Sequence, residues 1–297
     1  MSLPYLGELA ALATALCWSV SSLAFESSAR SMGALALNLI RLVMALGIFM
    51  ALGLVRSQTP LPMGVGAHGW LWLSISGLVG FTLGDLCLFH AFVRIGARLS
   101  MLVMALVPVL TTLGGFLLGE ALGPWAWIGM LVVMAGVGWV ILERQPTADG
   151  GRTRLDLPGL ALGLGGAAGQ AAGLLLSKYG MGQGDPFVST QIRVLAGIGG
   201  FVVLFTLLGL WPRVRLAMGN RPALARAGLG SVFGPFLGVS LSLLAVKHAQ
   251  AGVAATLMAL VPVTIIPLAI LVKKERVSAR AVIGAGIAVA GAAILFL

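Results

Sequence analysis

Charge is scarce in this sequence, and the few charged residues avoid its long apolar runs. Only 9% of the 297 residues are charged, whereas 59% are hydrophobic and the mean hydropathy is +1.05. Soluble domains carry about 25% charged residues, so the composition argues against a soluble fold. Each apolar run has the roughly 20 residues that an α-helix needs to cross the hydrocarbon core of a bilayer. The lipid bilayer is therefore the first partner that the sequence predicts.

Several kinds of site are also missing. The only two cysteines, Cys17 and Cys87, lie inside apolar runs, where cysteine is usually a small hydrophobic residue rather than a disulfide partner or metal ligand. No P-loop, HExxH, GxSxG or paired-histidine spacing occurs, so we predict no metal, no cofactor and no enzymatic activity. The 19 basic residues exceed the 9 acidic ones, but their dispersal over short loops argues against nucleic-acid binding. The first 25 residues contain no Lys or Arg, so they lack the basic start of a secretory signal and are expected to form a mature helix.

The apolar runs predict an all-α, polytopic membrane protein with ten transmembrane helices. Their nearly unbroken apolar character argues against membrane strands, which alternate every second residue over about ten positions. The predicted spans are residues 5–25, 34–55, 70–92, 99–118, 125–142, 157–176, 187–211, 225–246, 253–272 and 279–297.

The sequence repeats itself about its middle. The polar linker 143–156 separates residues 1–142 from residues 157–297. Landmarks recur in the same order at offsets of 152 to 155 residues, namely Arg41 and Arg193, Gly80/Gly84 and Gly234/Gly238, Met104–Val109 and Met258–Val263, and Glu120 and Glu275. Each half has five spans, an odd number, so the second half enters from the opposite face. This arrangement predicts two inverted five-helix repeats.

Loop charges predict the orientation in the membrane. Fourteen Lys and Arg residues fall in the loops, or within two residues of them, on one side of the predicted bundle, and three fall in the loops on the other side. The positive-inside rule then places both termini outside and the loops Arg213–Arg226 and Lys273–Arg280 in the cytoplasm. The predicted location is the cytoplasmic (inner) membrane.

A set of individually weak motifs appears in a fixed order. An aromatic residue late in the first span is followed by an Arg early in the second span, a Pro inside the fourth, an acidic residue after it and a Gly-rich fifth span: Trp18, Arg41, Arg193, Pro108, Pro262, Glu120 and Glu275. Together they resemble the ten-helix, EamA-like branch of the drug/metabolite transporter superfamily over essentially the whole chain. The resemblance implies a central cavity lined mainly by the first, third and fourth helices of each half. It also implies export of amino acids, other metabolites or drugs without ATP.

The repeats and the resemblance predict a secondary transporter that exports a small-molecule substrate by alternating access. An uptake permease of the same fold is the alternative, because neither loop charge nor fold sets the direction of flux. An intramembrane enzyme acting on a lipid-borne substrate is a further alternative. A monomer with two halves is sufficient to form the pathway, and a dimer is compatible with it.

Ionisable residues inside membrane spans are costly, so each is a candidate functional residue. Arg41 and Arg193 occur in both halves, as do Glu120 and Glu275, which favours structural roles. Arg41 is expected near the same membrane face as Glu275, and Arg193 near Glu120, so two symmetry-related ion pairs can form. Extension toward headgroups and direct substrate contact are the alternatives.

Asp85 has no acidic counterpart, because Val239 takes the equivalent place in the second half. It lies about 10 Å inside the nearer end of its helix, and Arg41 lies at a similar depth from the same face. Asp85 can therefore form a buried ion pair with Arg41, or serve as a gate, a proton carrier or an anchor for a substrate amine.

Four further residues are candidates for substrate contact. Trp18 and Gln170 occupy equivalent places in the two halves and could together hold an amphiphilic molecule, although a Trp near a helix end is often an interfacial anchor. Met104 and Met258 offer adaptable thioethers to apolar groups.

Prolines and a lysine complete the set of candidates. Pro108 and Pro262 are expected to kink the fourth helix of each half, either as part of a gate along the transport path or as ordinary packing. Lys178 ends a helix and is expected to extend toward lipid headgroups.

Overall fold

A computed structural model shows the chain as a bundle of helices. The structure describes residues 5–104, 106–141, 156–261, 263–264, 267–268 and 279–295. These residues form α- and π-helices and contain no β-strand. The prediction of an all-α protein is therefore confirmed. The predicted linker 143–156 lies outside the described residues except for Asp156.

Helices fill both halves of the chain. The α-helices of the first half are α1 (Leu6–Met32), α2 (Ala34–Ser57), α3 (Ala67–Gly77), α4 (Asp85–Met104), α5 (Val107–Leu117) and α6 (Pro124–Ile141). Those of the second half are α7 (Leu157–Met181), α8 (Pro186–Leu207), α9 (Trp211–Met218), α10 (Arg221–Ser231), α11 (Val239–His248), α12 (Ala251–Met258) and α13 (Ala279–Ile294). Two π-helical segments, π1 (Leu78–Gly84) and π2 (Val232–Gly238), join α3 to α4 and α10 to α11.

Among the described residues, six helical stretches are long and apolar enough to cross a membrane. They are Leu6–Met32, Ala34–Arg56, Ala67–Ala91, Leu157–Met181, Pro186–Leu207 and Arg221–His248. Shorter apolar helices lie at Val107–Leu117, Pro124–Trp139 and Val282–Ile294. All of these stretches fall on predicted spans. The remaining predicted span, 253–272, is described only in part.

The two π segments lie 154 residues apart and bring glycines against neighbouring helices. Gly84, at the end of π1, meets Gly169 of α7 so closely that a Cβ on Gly169 would lie 2.6 Å from the Gly84 Cα. Gly238, at the end of π2, meets the indole of Trp18 on α1, and a Cβ there would lie 2.6 Å from Nε1. Small residues of this kind allow membrane helices to approach closely and gain van der Waals contact.

The contacts between α4 and α7 reverse their order along the chain. Leu88 lies against Gly166, and Ile95 lies against Gly159 near the start of α7. Val103 lies against Gly163, which is farther from that start. The reversal falls where the sequence predicts the loop between the third and fourth spans. In the second half, the gap between α11 and α12 takes the equivalent place.

The first helix of each half packs on the other half. α1 runs antiparallel to α10, π2 and α11, from Gly7 against Ala249 to Phe25 against Gly230. In the same way, α7 runs antiparallel to α3, π1 and the start of α4. The last helices, α6 and α13, also pack antiparallel to each other. The two halves are therefore interleaved.

Two features differ from the sequence-based expectations. α9 was not predicted; it begins with Trp211 and Pro212 and packs Val214 and Ala217 against the bundle. Pro108 was expected to kink a helix, but α4 ends at Met104 and Pro108 lies in the first turn of α5. Proline suits a first turn because its missing N–H has no partner to lose there. Pro108 therefore lies at a helix start rather than inside one continuous helix.

Candidate functional site

A buried polar cluster centred on Asp85 joins three helices. Asp85 is the first residue of α4 and is 4% exposed. Its Oδ2 accepts a hydrogen bond from the guanidinium of Arg41 on α2. Its Oδ1 accepts a hydrogen bond from Nε2 of Gln170 on α7, at a distance of 2.9 Å. Both carboxylate oxygens are thus satisfied, one by a residue of the same half and one by a residue of the other half.

Aromatic rings enclose the charged pair. The Cζ of Arg41 lies 5.4 Å from the ring centroid of Phe25 on α1 and 5.5 Å from that of Phe89 on α4. These distances are within the range of cation–π attraction. Neither ring was predicted from the sequence, although Phe89 follows Asp85 by four residues, a spacing that places both on one helix face.

Arg193 lies deep in the bundle on α8 and is also 4% exposed. Its Cζ stacks over the ring of Phe81 in π1, 4.9 Å from the centroid. Glycines in π1 allow this approach, since a Cβ on Gly80 would lie 3.2 Å from Nη2 of Arg193. The predicted partner of Arg193, Glu120, lies elsewhere and binds a different residue.

Glu120 is part of a polar clasp between the halves. Its Oε1 lies 2.5 Å from Nζ of Lys178 at the end of α7. Its Oε2 accepts from the backbone N–H of Ala251 at 2.7 Å, and Lys178 donates to the carbonyl of Ala249 at 2.9 Å. Lys178 therefore contacts protein acceptors, in place of the predicted extension toward lipid headgroups. We call this group the Glu120 clasp.

A second set of contacts joins the halves at the opposite end of the bundle. Arg94 of α4 binds both carboxylate oxygens of Asp156, at 3.0 and 3.2 Å. Asp156 also caps α7 by accepting from the backbone N–H of Gly159 at 3.1 Å. The Arg94 hydrogen bond, followed by the Gly159 N–H, holds the pKa of Asp156 below its usual value. Nearby, Ser28 donates to the carbonyl of Ala223 at 3.0 Å.

The remaining predicted site residues lie at several places. Trp18 packs on Gly238 of π2. Met258 is buried at the end of α12, and Met104 is half-buried at the end of α4. Pro108 is buried in α5. Pro262 and Glu275 lie outside the described residues, and so does any pair between Glu275 and Arg41.

The chemistry available at the Asp85 cluster is that of a charged pair buried in the membrane. Separating the pair would leave a buried charge without its partner, so a movement of α2 or α4 that breaks it is costly. Among the described residues, no group of three His, Cys, Asp or Glu side chains could hold a metal ion.

Comparisons with known proteins agree with this architecture. The model of the EamA-like transporter family matches the chain twice, over residues 5–142 and 157–297. A solved structure titled "Crystal structure of protein" is 22% identical, with a TM-score of 0.75, over 97% of this chain and 94% of that chain, which shows a shared fold. A search of curated proteins found no match. Since the family model matches both halves, the predicted resemblance is confirmed, and the chain belongs to the EamA-like transporter family, a family of multi-pass membrane proteins.

Proposed function

We propose that the protein is a secondary transporter that exports small organic metabolites across the cytoplasmic membrane by alternating access. The observation that carries this proposal is the hydrogen bond between Gln170 and Asp85. It joins the two halves at a charged residue deep inside the bundle, where charge is costly and typically marks a substrate or ion pathway. The same carboxylate holds Arg41, so a change at this point acts on both halves.

The antiparallel packing supports two inverted five-helix repeats, 1–142 and 157–297. The first helices, α1 and α7, each lie on the opposite half, and the last helices, α6 and α13, run antiparallel to each other. π1 and π2 lie 154 residues apart, as do the landmarks in the sequence. Inverted repeats place the substrate path at their interface, near the middle of the membrane.

Alternating access requires contacts between the halves to open at one end at a time. The Glu120 clasp holds one end, and the Arg94–Asp156 pair holds the other. The substrate path then runs between them, past Trp18, Gln170 and Met258. The loop charges favour an orientation with both termini outside, which places the Glu120 clasp on the outer side.

Flux through proteoliposomes tests the proposal. Wild type, Asp85→Asn and, as a control, Asp185→Asn are reconstituted, and uptake and efflux of labelled amino acids, nucleobases and cationic dyes are measured with and without a pH gradient. We expect wild type and Asp185→Asn, which removes an exposed carboxylate outside the Asp85 cluster, to transport one class of compound. Asp85→Asn is expected to lose that flux, because the cluster loses the negative charge of Asp85.

The remaining outcomes separate the alternatives. Flux that survives Asp85→Asn and needs no gradient assigns Asp85 a structural role. Flux only in the inward direction supports an uptake permease in place of an exporter. No flux of any compound, with correctly folded protein, contradicts transport and favours the enzyme alternative.

A further inference from the structure

Arg193 is a buried cation that lacks the acidic partner its counterpart has. Arg41 pairs with Asp85, but Val239 occupies the place in the second half that corresponds to Asp85. Arg41, Arg193 and Asp85 together carry one net positive charge inside the bundle. A charge of this kind within a membrane is retained where it meets a partner of opposite sign.

Asp85 is near enough to attract Arg193 electrostatically, but the described residues supply no acid that is bonded to it. Both oxygens of Asp85 are engaged, one by Arg41 and the other by Gln170. Within the part of the chain that the structure describes, the Arg193 side chain forms no ion pair or hydrogen bond, and its Nε is buried without an acceptor. The ring of Phe81 attracts the cation from one face of the guanidinium. The five N–H groups point outward in the guanidinium plane, so the ring does not accept hydrogen bonds from them.

The guanidinium lies at the seam between the two halves. Gly80 of π1 borders Nη2 of Arg193, and Gly173 of α7 borders the same glycine. The two glycines let the helices meet closely there, since a Cβ on Gly173 would lie 3.1 Å from the Gly80 Cα. Nη2 of Arg193 therefore lies at the interface between the halves, where the proposed function places the substrate path.

We infer that Arg193 binds the carboxylate of the transported molecule, and that the substrate is a small organic anion. This inference rests on the proposed function and gives it a substrate class. A carboxylate matches the planar fork of a guanidinium and accepts two parallel N–H bonds from it. Its single negative charge also cancels the net charge of the Arg41, Asp85 and Arg193 group.

A substitution at Val239 tests whether Arg193 lacks a partner, without any substrate. Val239 belongs to the same apolar cluster as Phe81, on which Arg193 stacks, and Val194, which follows Arg193 in the sequence. We expect Val239→Asp to raise the melting temperature of the purified, unliganded protein, because it supplies the missing acid. Val239→Asn, which adds polarity without charge, is expected to lower it. The gain should vanish in the double variant Val239→Asp/Arg193→Gln. If Val239→Asp lowers the melting temperature as Val239→Asn does, Arg193 is already satisfied and the inference is wrong.

Ligand binding tests the substrate class. Thermal shifts are measured with a panel of small carboxylates, each matched with its uncharged primary amide. We expect at least one carboxylate, but not its amide, to stabilise the wild type, and Arg193→Gln and Val239→Asp each to weaken its binding about tenfold. Equal binding of the amide, survival of carboxylate binding in both variants, or a panel without any binding overturns the inference. Carboxylate binding without flux in proteoliposomes would contradict the transport proposal alone.

Discussion

The carboxylate of Glu120 lies 2.5 Å from the ammonium of Lys178, across the boundary between the two halves. Its other oxygen accepts from the backbone N–H of Ala251, at the start of α12. One side chain therefore holds the end of α7 and the start of α12 together. Both side chains of the pair are partly exposed, so the ion pair is weaker than a fully buried one would be.

The clasp predicts an order of stability among substitutions of Glu120. Glu120→Gln keeps an oxygen for the Ala251 N–H but loses the charge, whereas Glu120→Ala loses both. We expect Glu120→Ala to cost about 1 kcal/mol more than Glu120→Gln, because an N–H at a helix start loses its acceptor. Denaturant titration in detergent measures the difference. Equal losses of unfolding free energy would show that the hydrogen bond from the Ala251 N–H to Glu120 does not stabilise the protein.

The buried pair predicts non-additive effects. Arg41→Met and Asp85→Leu each leave one buried charge without its partner, and each is expected to cost about 3 kcal/mol or more. The double variant removes both charges and is expected to be more stable than either single variant. A double-mutant cycle, measured by unfolding in detergent, tests this. Additive losses would mean that the two residues act independently.

Close helix contact predicts opposite results for two glycine-to-alanine substitutions. A Cβ on Gly169 would lie 2.6 Å from Gly84, so Gly169→Ala is expected to force α7 from π1 and to lower the melting temperature. A Cβ added to Gly138 of α6 would meet no neighbouring heavy atom within 4 Å, so Gly138→Ala is the matched control. It is expected to stabilise the helix by up to about 1 kcal/mol. A larger loss for Gly138→Ala would contradict the packing described.

Acid is expected to remove the contribution of the Arg94–Asp156 pair. Because Arg94 lowers the pKa of folded Asp156, the stabilisation is complete above the unfolded pKa of about 3.9 and is lost as the pH falls through the lower folded value. The difference in melting temperature between wild type and Asp156→Asn should be constant near neutral pH and shrink below about pH 4. Asn keeps an oxygen that can cap α7, so wild type and variant both retain the helix cap and differ in the ion pair. A difference that persists at low pH would exclude this ion pair as its cause.

The loop charges predict which exposed arginines face the outside. In a background with Cys17 and Cys87 changed to Ser, Arg56→Cys should react with an impermeant maleimide in intact cells. Arg213→Cys should react only after permeabilisation. The reverse pattern would place both termini in the cytoplasm.

Some contacts of the site follow from local sequence rules and others do not. Arg41 and Asp85 lie at similar depths from one face, so their pairing was among the predicted alternatives, and the structure contains it. The bond from Gln170 to Asp85 crosses between halves and depends on how closely π1 approaches α7. That approach depends on the Gly84–Gly169 contact, which no spacing rule within one helix reveals.

The missed features share a physical origin. Glu120 was matched with Arg193 by depth alone, but Lys178 reaches it because α7 crosses to the first half. The predicted spans did not include α9, because it lies in a polar segment, is only 8 residues long and has a narrow apolar face. Depth and composition predict which residues enter the membrane, whereas the lateral arrangement of helices decides which of them meet.

The Arg41–Asp85 pair has a consequence for the synthesis of the protein and its insertion into the membrane. The two residues are 44 positions apart, so Arg41 emerges from the ribosome well before its counter-charge exists. An arginine alone in lipid costs several kcal/mol. We therefore expect the translocon to retain the hydrophobic segment that contains Arg41 until the next one arrives, and to release the two into the bilayer together as a hairpin.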